Sequence, residues 1–194
     1  MIECEKKVLL THEEYNAIIK HKNSASTVIH QKNHYFDTDD FSMNKKGITC
    51  RIRDKDGESK ATIKIHDNNN SDLSIEKTSI SYGELSIYSF DVMGLKHQGS
   101  LFTERTILYK DQFCELVLDR NSYLDYIDYE LEIEYEVDHE NYAYKVLQAV
   151  ADKLVLFGVN ANAEMFISRV GKAASKSSRF FELKQKQSMK NGVD

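Results

Sequence analysis

Apolar and polar residues alternate with a period of two along several short stretches of the 194-residue chain, and successive side chains on a strand point to opposite faces. In Ile2–Leu10, Glu3, Glu5 and Lys7 share one face and Ile2, Cys4 and Val8 the other, with Lys6 the exception. Ile48–Arg53 alternates Ile48, Cys50 and Ile52 against Thr49, Arg51 and Arg53. Asp54-Lys55-Asp56-Gly57 is a hairpin turn signal, and Lys60–Ile65 returns with Lys60, Thr62 and Lys64 on its polar face. Leu73–Ser79 places Ser74, Glu76 and Thr78 opposite Leu73 and Ile75. Leu101–Tyr109 carries Thr103 and Arg105 together, and Gln112–Asp119 is its expected hairpin partner, with Glu115, Val117 and Asp119 in phase. In Asp128–Val137 the acids Asp128, Glu130, Glu132, Glu134 and Glu136 alternate with Tyr129, Leu131, Ile133, Tyr135 and Val137. His30–Asp37 also reads as a strand.

Helical spacing is rarer. Thr11 with Glu14 forms a capping box for a short helix over residues 12–22. Tyr142, Val146, Leu147, Val150 and Leu154 form the stripe of a helix that starts at Asp138 or His139 and ends at Phe157, with Gly158 just past its end. Ala173–Gln187 is predicted to be a charged C-terminal helix. Residues 82–100 carry no clean period and are expected to form a short helix and loops. About eight strands, joined mainly by turns, favour an antiparallel sheet or barrel over a doubly wound fold. One domain over 1–188 with a frayed tail at 189–194 is expected.

Apolar residues make up 41 % of the chain, enough for a core, and the net charge is −5. That charge excludes bulk attraction to nucleic acid or to an anionic membrane. No apolar run reaches the roughly 18 residues of a membrane span, and no signal peptide precedes Glu3. Cys4, Cys50 and Cys114 have neither zinc spacing nor disulfide pairing and fall on apolar faces, so reduced core cysteines and a cytoplasmic location are expected.

The charges are segregated by strand. Two strands carry acids (Glu3, Glu5; Glu130, Glu132, Glu134), two carry bases (Arg51, Arg53; Lys60, Lys64), and others add Glu76, Arg105 and Asp119. A half-solvated sheet would show mixed, weakly patterned charge. If the sheet closes, these faces line an interior channel and the helices cover an apolar exterior. Carboxylates at i and i+2 lie about 7 Å apart, and such pairs repel unless a cation binds them. Oxygen ligands suit a hard cation such as Mg²⁺, which often shares substrate phosphates, and the arginine fork suits phosphate oxygens.

Four motifs in order carry a resemblance: Glu3-x-Glu5-x-Lys7, Arg51-Ile52-Arg53, Thr62-Ile63-Lys64 and Tyr129-Glu130-Leu131-Glu132-Ile133-Glu134. The chain resembles the CYTH domain, or triphosphate tunnel metalloenzyme, superfamily. His34–Thr38 and Lys176–Phe180 look like its small stand-alone bacterial members. The resemblance implies an eight-stranded antiparallel β-barrel with helices packed outside, whose tunnel binds a triphosphate and Mg²⁺ or Mn²⁺. It implies metal ligation by Glu3, Glu5, Glu76, Asp119, Glu130, Glu132 and Glu134. It implies phosphate binding by Lys7, Arg51, Arg53, Lys64 and Arg105, with Lys176 and Arg179 closing one mouth and also contacting the triphosphate. Glu5, Lys7, Arg51 and Arg53 are the candidate catalytic residues, Lys7 with its pKa lowered by neighbouring cations for proton transfer. The expected activity is metal-dependent triphosphate hydrolysis by a monomer or homodimer. Cyclisation of ATP to cyclic AMP and non-catalytic triphosphate or polyphosphate binding are the alternatives.

Overall fold

The computed structural model describes residues 2–24, 26–66, 73–80, 90 and 94–191, with side chains for all of these except residues 2, 3, 66, 73–80, 190 and 191. The strands are β1 (Ile2–Leu10), β2 (Val28–Asp37), β3 (Ile48–Lys55), β4 (Glu58–His66), β5 (Leu73–Ile80), β6 (Lys96–Lys110), β7 (Cys114–Tyr123) and β8 (Tyr126–Tyr135). The helices are α1 (His12–Lys20), α2 (Ser42–Lys45), α3 (Glu140–Leu156), α4 (Ala163–Ile167) and α5 (Lys176–Asn191). All the pairings are antiparallel, and β1 lies between β5 and β8, so the order β1-β5-β4-β3-β2-β6-β7-β8 closes into a barrel. Closure leaves no free strand edge.

The period-two pattern settles which face looks inward. Val8, Leu10, Leu116, Leu118, Leu131 and Ile133 form the outer face of β1, β7 and β8, and Ala143, Leu147, Ala151 and Leu154 of α3 pack on them with Phe166 of α4. The apolar faces thus point outward beneath helices and the polar faces line the lumen. Lys6, the exception in β1, lies on the outer face under α3, where its ammonium is 2.9 Å from Glu140 and 4.9 Å from the centre of the Tyr144 ring. All three cysteines are buried free thiols.

Local signals formed as their chemistry dictates. Thr11 and Glu14 make the capping box of α1. Asp56 and Gly57 both have positive φ (53° and 80°), the two-residue turn that matches strand twist between β3 and β4. The β7–β8 hairpin turns through Leu124 and Asp125, also at positive φ (47° and 59°) but with no glycine to mark it in the sequence. Asp37 ends β2 by accepting backbone hydrogen bonds from Met43 (2.9 Å) and Asn44 (2.8 Å), which anchors α2. The predicted helix and loops of residues 82–100 are corrected at their C-terminal end. Residues 96–100 are strand, paired with His34–Asp37 of β2. A register shift near Tyr35/Phe36 and the Gly99 position blur their alternation. Most of the remaining 82–93 lies outside the described residues, and α4 had no signal in the sequence reading.

Helix α5 closes one end of the barrel. Ser175 caps it, accepting from the Ser178 backbone at 3.2 Å. Phe180 and Phe181 enter a buried cluster with Tyr35, Leu101 and Tyr123. Gly99 makes this seat possible: a Cβ there would lie 2.8 Å from the Phe180 ring, at a φ of 138° that L side chains rarely adopt.

Candidate active site

The lumen is lined by two opposed walls. On one, β3 and β4 present Thr49, Arg51, Arg53 and Lys64, and β2 adds Gln31, Asn33 and Tyr35. On the other, β1 and β8 present Glu5, Lys7, Glu132 and Glu134, and β6 adds Arg105. Register sets these neighbours: Arg51 is opposite Thr62 and Tyr35, Lys7 opposite Glu132, and Asp119 opposite both Arg105 and Glu130. Glu5 faces Glu134 directly, a like-charge cross-strand pair that is unfavourable without a cation.

Buried charges need partners, and the acidic wall is heavily bonded. The Arg105 fork donates to Asp119 from Nε (2.9 Å) and Nη2 (2.8 Å), and Nη2 also reaches Glu132 at 2.9 Å. Lys7 donates to Glu5 at 2.7 Å, and Lys64 reaches the same oxygen at 3.4 Å. Arg53 Nε donates to Asn33 at 3.0 Å. The Lys176 ammonium enters from α5 and lies 3.0 Å from Asp119 and 2.9 Å from Glu132, and it also contacts Glu130. Arg179 holds Asp128 at 2.9 Å and has Nη1 2.7 Å from Glu130 Oε2, though without hydrogen-bond geometry at that oxygen.

These contacts set the acid–base states. Burial and Glu132 push the Glu5 carboxyl up, but Lys7 and Lys64 outweigh them and hold it below the usual range. Burial likewise opposes the charge on Glu132, and Lys176, Arg105 and Lys7 hold it well below. Glu130 goes the other way, because burial prevails over Lys176 and Arg179. The lowered pKa expected for Lys7 is corrected. Burial does favour loss of its proton, but Glu5, Glu132 and Glu130 outweigh burial and raise it. Lys7 is a fixed positive charge, because its nearest charged neighbours are acids rather than cations.

Of the candidate residues, Glu5, Lys7, Arg51, Arg53, Lys64, Arg105, Glu132, Glu134 and Lys176 line this one lumen. Lys176 does more than close a mouth, since its ammonium sits deep among the acids, while Arg179 stays at the end plugged by α5. The Glu134 side chain is 45 % exposed and marks the open end. Glu3 and Glu76 hold strand positions facing Ser74 and Lys64, but their side chains lie outside the described residues. Lys60, on the same face of β4, lies at the strand end, half exposed beside Glu58 at 3.0 Å. The sequence reading did not select Asn33, Tyr35, Thr49, Asn121, Asp128 or Ser177. Parity in β2 could have found Asn33 and Tyr35. By contrast, the chain from Thr103 through Asn121 (2.7 Å) to Asp128 (2.9 Å) depends on register that no local pattern carries.

A divalent cation fits this donor set. Ligand oxygens of Glu5, Glu132 and Glu134 lie within 4.8 Å of one another, and so do those of Asp119, Glu130 and Glu132. All are hard carboxylate oxygens. Lys176 and Arg105 now neutralise them. The open space left in the lumen is about 70 Å³, below the roughly 300 Å³ or more of a small-molecule pocket.

Comparison with known proteins agrees with this geometry. Residues 1–156 match the family model described as the CYTH domain. The Bacillus subtilis (strain 168) protein named "Putative triphosphatase YjbK" is 32 % identical over 159 residues, covering 72 % of this chain and 80 % of that protein. The crystal structure of a Bacillus halodurans protein, bh2851, described as a "putative adenylate cyclase", is 29 % identical. It covers 81 % of this chain and 90 % of that one, with a TM-score of 0.58. HpAC1 from Hippeastrum, for which a dominant triphosphatase activity is described, shares the fold (TM-score 0.58) at 15 % identity, over 78 % of this chain and 87 % of that one. A closed eight-stranded barrel with a charged lumen and a family match over residues 1–156 lead to one conclusion: this chain belongs to the CYTH domain family.

Proposed function

We propose that the protein is a divalent-metal-dependent triphosphatase, acting on inorganic triphosphate or an organic triphosphate held in the lumen. One observation carries the reading: a cationic wall of Arg51, Arg53 and Lys64 faces an acidic wall of Glu5, Glu132 and Glu134 across one closed lumen. Phosphoryl transfer asks a protein mainly for positioning and charge neutralisation, and this arrangement supplies both. Arg51 and Arg53 hold non-bridging phosphate oxygens through their planar forks, and Lys64 and Lys7 add fixed charge. Arg105, Lys176 and Arg179 follow as further phosphate contacts once the substrate draws them from the acids. Glu5, Glu132 and Glu134, with Asp119 and Glu130, would hold Mg²⁺ or Mn²⁺, and Glu3 and Glu76 would complete the set. The bound ion supplies Lewis-acid charge neutralisation and an activated water. Glu5 would orient an attacking water, and the hydrogen bond it accepts from Lys7 at 2.7 Å holds its rotamer. The partner is a small free anion rather than nucleic acid, consistent with the net charge of −5.

The test is incubation with Mg²⁺ or Mn²⁺ and inorganic triphosphate, ATP or thiamine triphosphate, measuring phosphate, pyrophosphate and cyclic AMP. Metal-dependent phosphate release, abolished in Glu5→Gln with the fold intact, is the expected result. Cyclic AMP with pyrophosphate from ATP would convert the reading to a cyclase. Tight triphosphate binding without turnover would reduce it to a binding module.

A further inference from the structure

Outside the barrel, α1, α3 and the outer faces of β6 and β7 enclose a half-open groove of about 610 Å³. Its floor is apolar, built from Ile18, Leu108, Leu116, Val146, Val150 and Phe157. Its rim carries Lys22, Lys145 and Lys153, and none of the described residues that line it is acidic. This is unusual in a chain with 31 acids against 26 bases. Among the described residues none of the three lysines has a carboxylate at ion-pair distance, whereas Lys110 and Lys186 elsewhere on the surface do. At one end the His21 ring stacks on Phe157, with centroids 3.8 Å apart, and is fixed by a hydrogen bond between its Nδ1 and the Ala17 carbonyl (2.9 Å). The end wall is therefore aromatic.

We propose that this groove is a second binding site, for a small free amphipathic anion: an acyl chain along the floor with its carboxylate among the rim lysines. The volume falls in the range of small-molecule pockets, about 300–1,000 Å³. Apolar area is the driving term, since each methylene moved from water onto the floor contributes about fourfold in affinity. Charge then selects the headgroup, because three unpaired ammonium groups favour an anion and repel a cation. A second copy of the chain fits less well: a twofold contact through this patch would set the lysine rim against itself. The proposal is independent of the tunnel chemistry. Leu108 and Leu116 belong to the apolar cluster under the outer helices, whereas Arg105 on the same β6 lines the lumen.

The experiment is titration calorimetry of the whole protein with dodecanoate below its micelle concentration. One saturable site per chain is expected, at least tenfold tighter than octanoate, with dodecyltrimethylammonium bound at least tenfold more weakly than dodecanoate and no competition from millimolar inorganic triphosphate. Lys145 and Lys153 are exposed, so K145E/K153E should fold normally and bind about tenfold more weakly. Ala149→Trp, at an exposed lining position, should fill the groove and abolish binding while leaving the circular dichroism unchanged. Equal affinity for the cationic and anionic amphiphiles, undiminished binding in both variants, or competition by triphosphate would each overturn the assignment. So would binding only to dodecanoate-containing vesicles, which would make the patch a membrane contact, or a concentration-dependent dimer disrupted by K145E/K153E, which would make it a self-interface.

Discussion

Replacing Lys176 with methionine tests how the lumen balances its charge. The ammonium is nearly buried and serves Asp119, Glu130 and Glu132 at once. Removing one partner of a buried ion pair costs about 3–5 kcal/mol. The low end applies here, because Asp119 keeps Arg105, Glu130 keeps Arg179, and Glu132 keeps both Arg105 and Lys7. A loss of about 3 kcal/mol in a domain of this size lowers Tm by roughly 6–12 °C. A divalent ion can replace the missing charge, and at a hundredfold excess over its Kd it returns about 2.7 kcal/mol. In the wild type the same ion must displace or share oxygens with Lys176, so its shift is smaller. The assay is thermal unfolding of both proteins in EDTA and in a Mn²⁺ series, with calorimetry for Mn²⁺ affinity. K176M should melt well below wild type in EDTA, bind Mn²⁺ more tightly and recover most of its Tm. If K176M melts with the wild type in EDTA, or gains no more from Mn²⁺ than the wild type does, Lys176 is not the internal counterion and the reasoning fails.

Arg51→Ala should lower kcat/KM for the hydrolysed triphosphate by about 10²-fold, while Lys55→Ala, an exposed change at the end of β3, should be nearly silent; equal effects in steady-state kinetics would place the arginine outside the site. Gly99→Ala should cost about 1–3 kcal/mol through the Phe180 clash and raise hydrogen exchange in α5, read by mass spectrometry. The pH profile has a worked sign. Glu5 and Glu132 titrate below the ordinary 4.5 in the folded protein, so their stabilisation is present above 4.5 and is lost as pH falls through their lower folded values. Lys7 and Lys176 titrate above 10.5, so theirs is present below 10.5 and is lost as pH rises through the higher folded values. Glu130 opposes the first pair, since its raised pKa favours the fold most below 4.5. Tm should therefore fall on both flanks, and Glu132→Gln should flatten the acid limb.

The alternation of Glu5 and Lys7, of Arg51 and Arg53, and of Glu130, Glu132 and Glu134 is legible in the order of residues, because side-chain parity is a local property of an extended backbone. Segregation of acid from base by strand, with apolar opposite faces, favoured a closed sheet over a half-solvated one. The capping box of α1 and the Asp56-Gly57 turn were equally legible, since their hydrogen bonds and dihedrals involve neighbours in sequence. Tertiary structure alone decided the rest. Register between distant strands set Glu5 against Glu134 and Asp119 between Arg105 and Glu130. The docking of α5, more than forty positions from the acids it serves, put Lys176 deep among them rather than at the mouth the resemblance implied for it. The pKa of Lys7 turned on the same point, because an ionisation constant depends on which charges lie within a few ångströms, and the sequence orders residues without stating those distances.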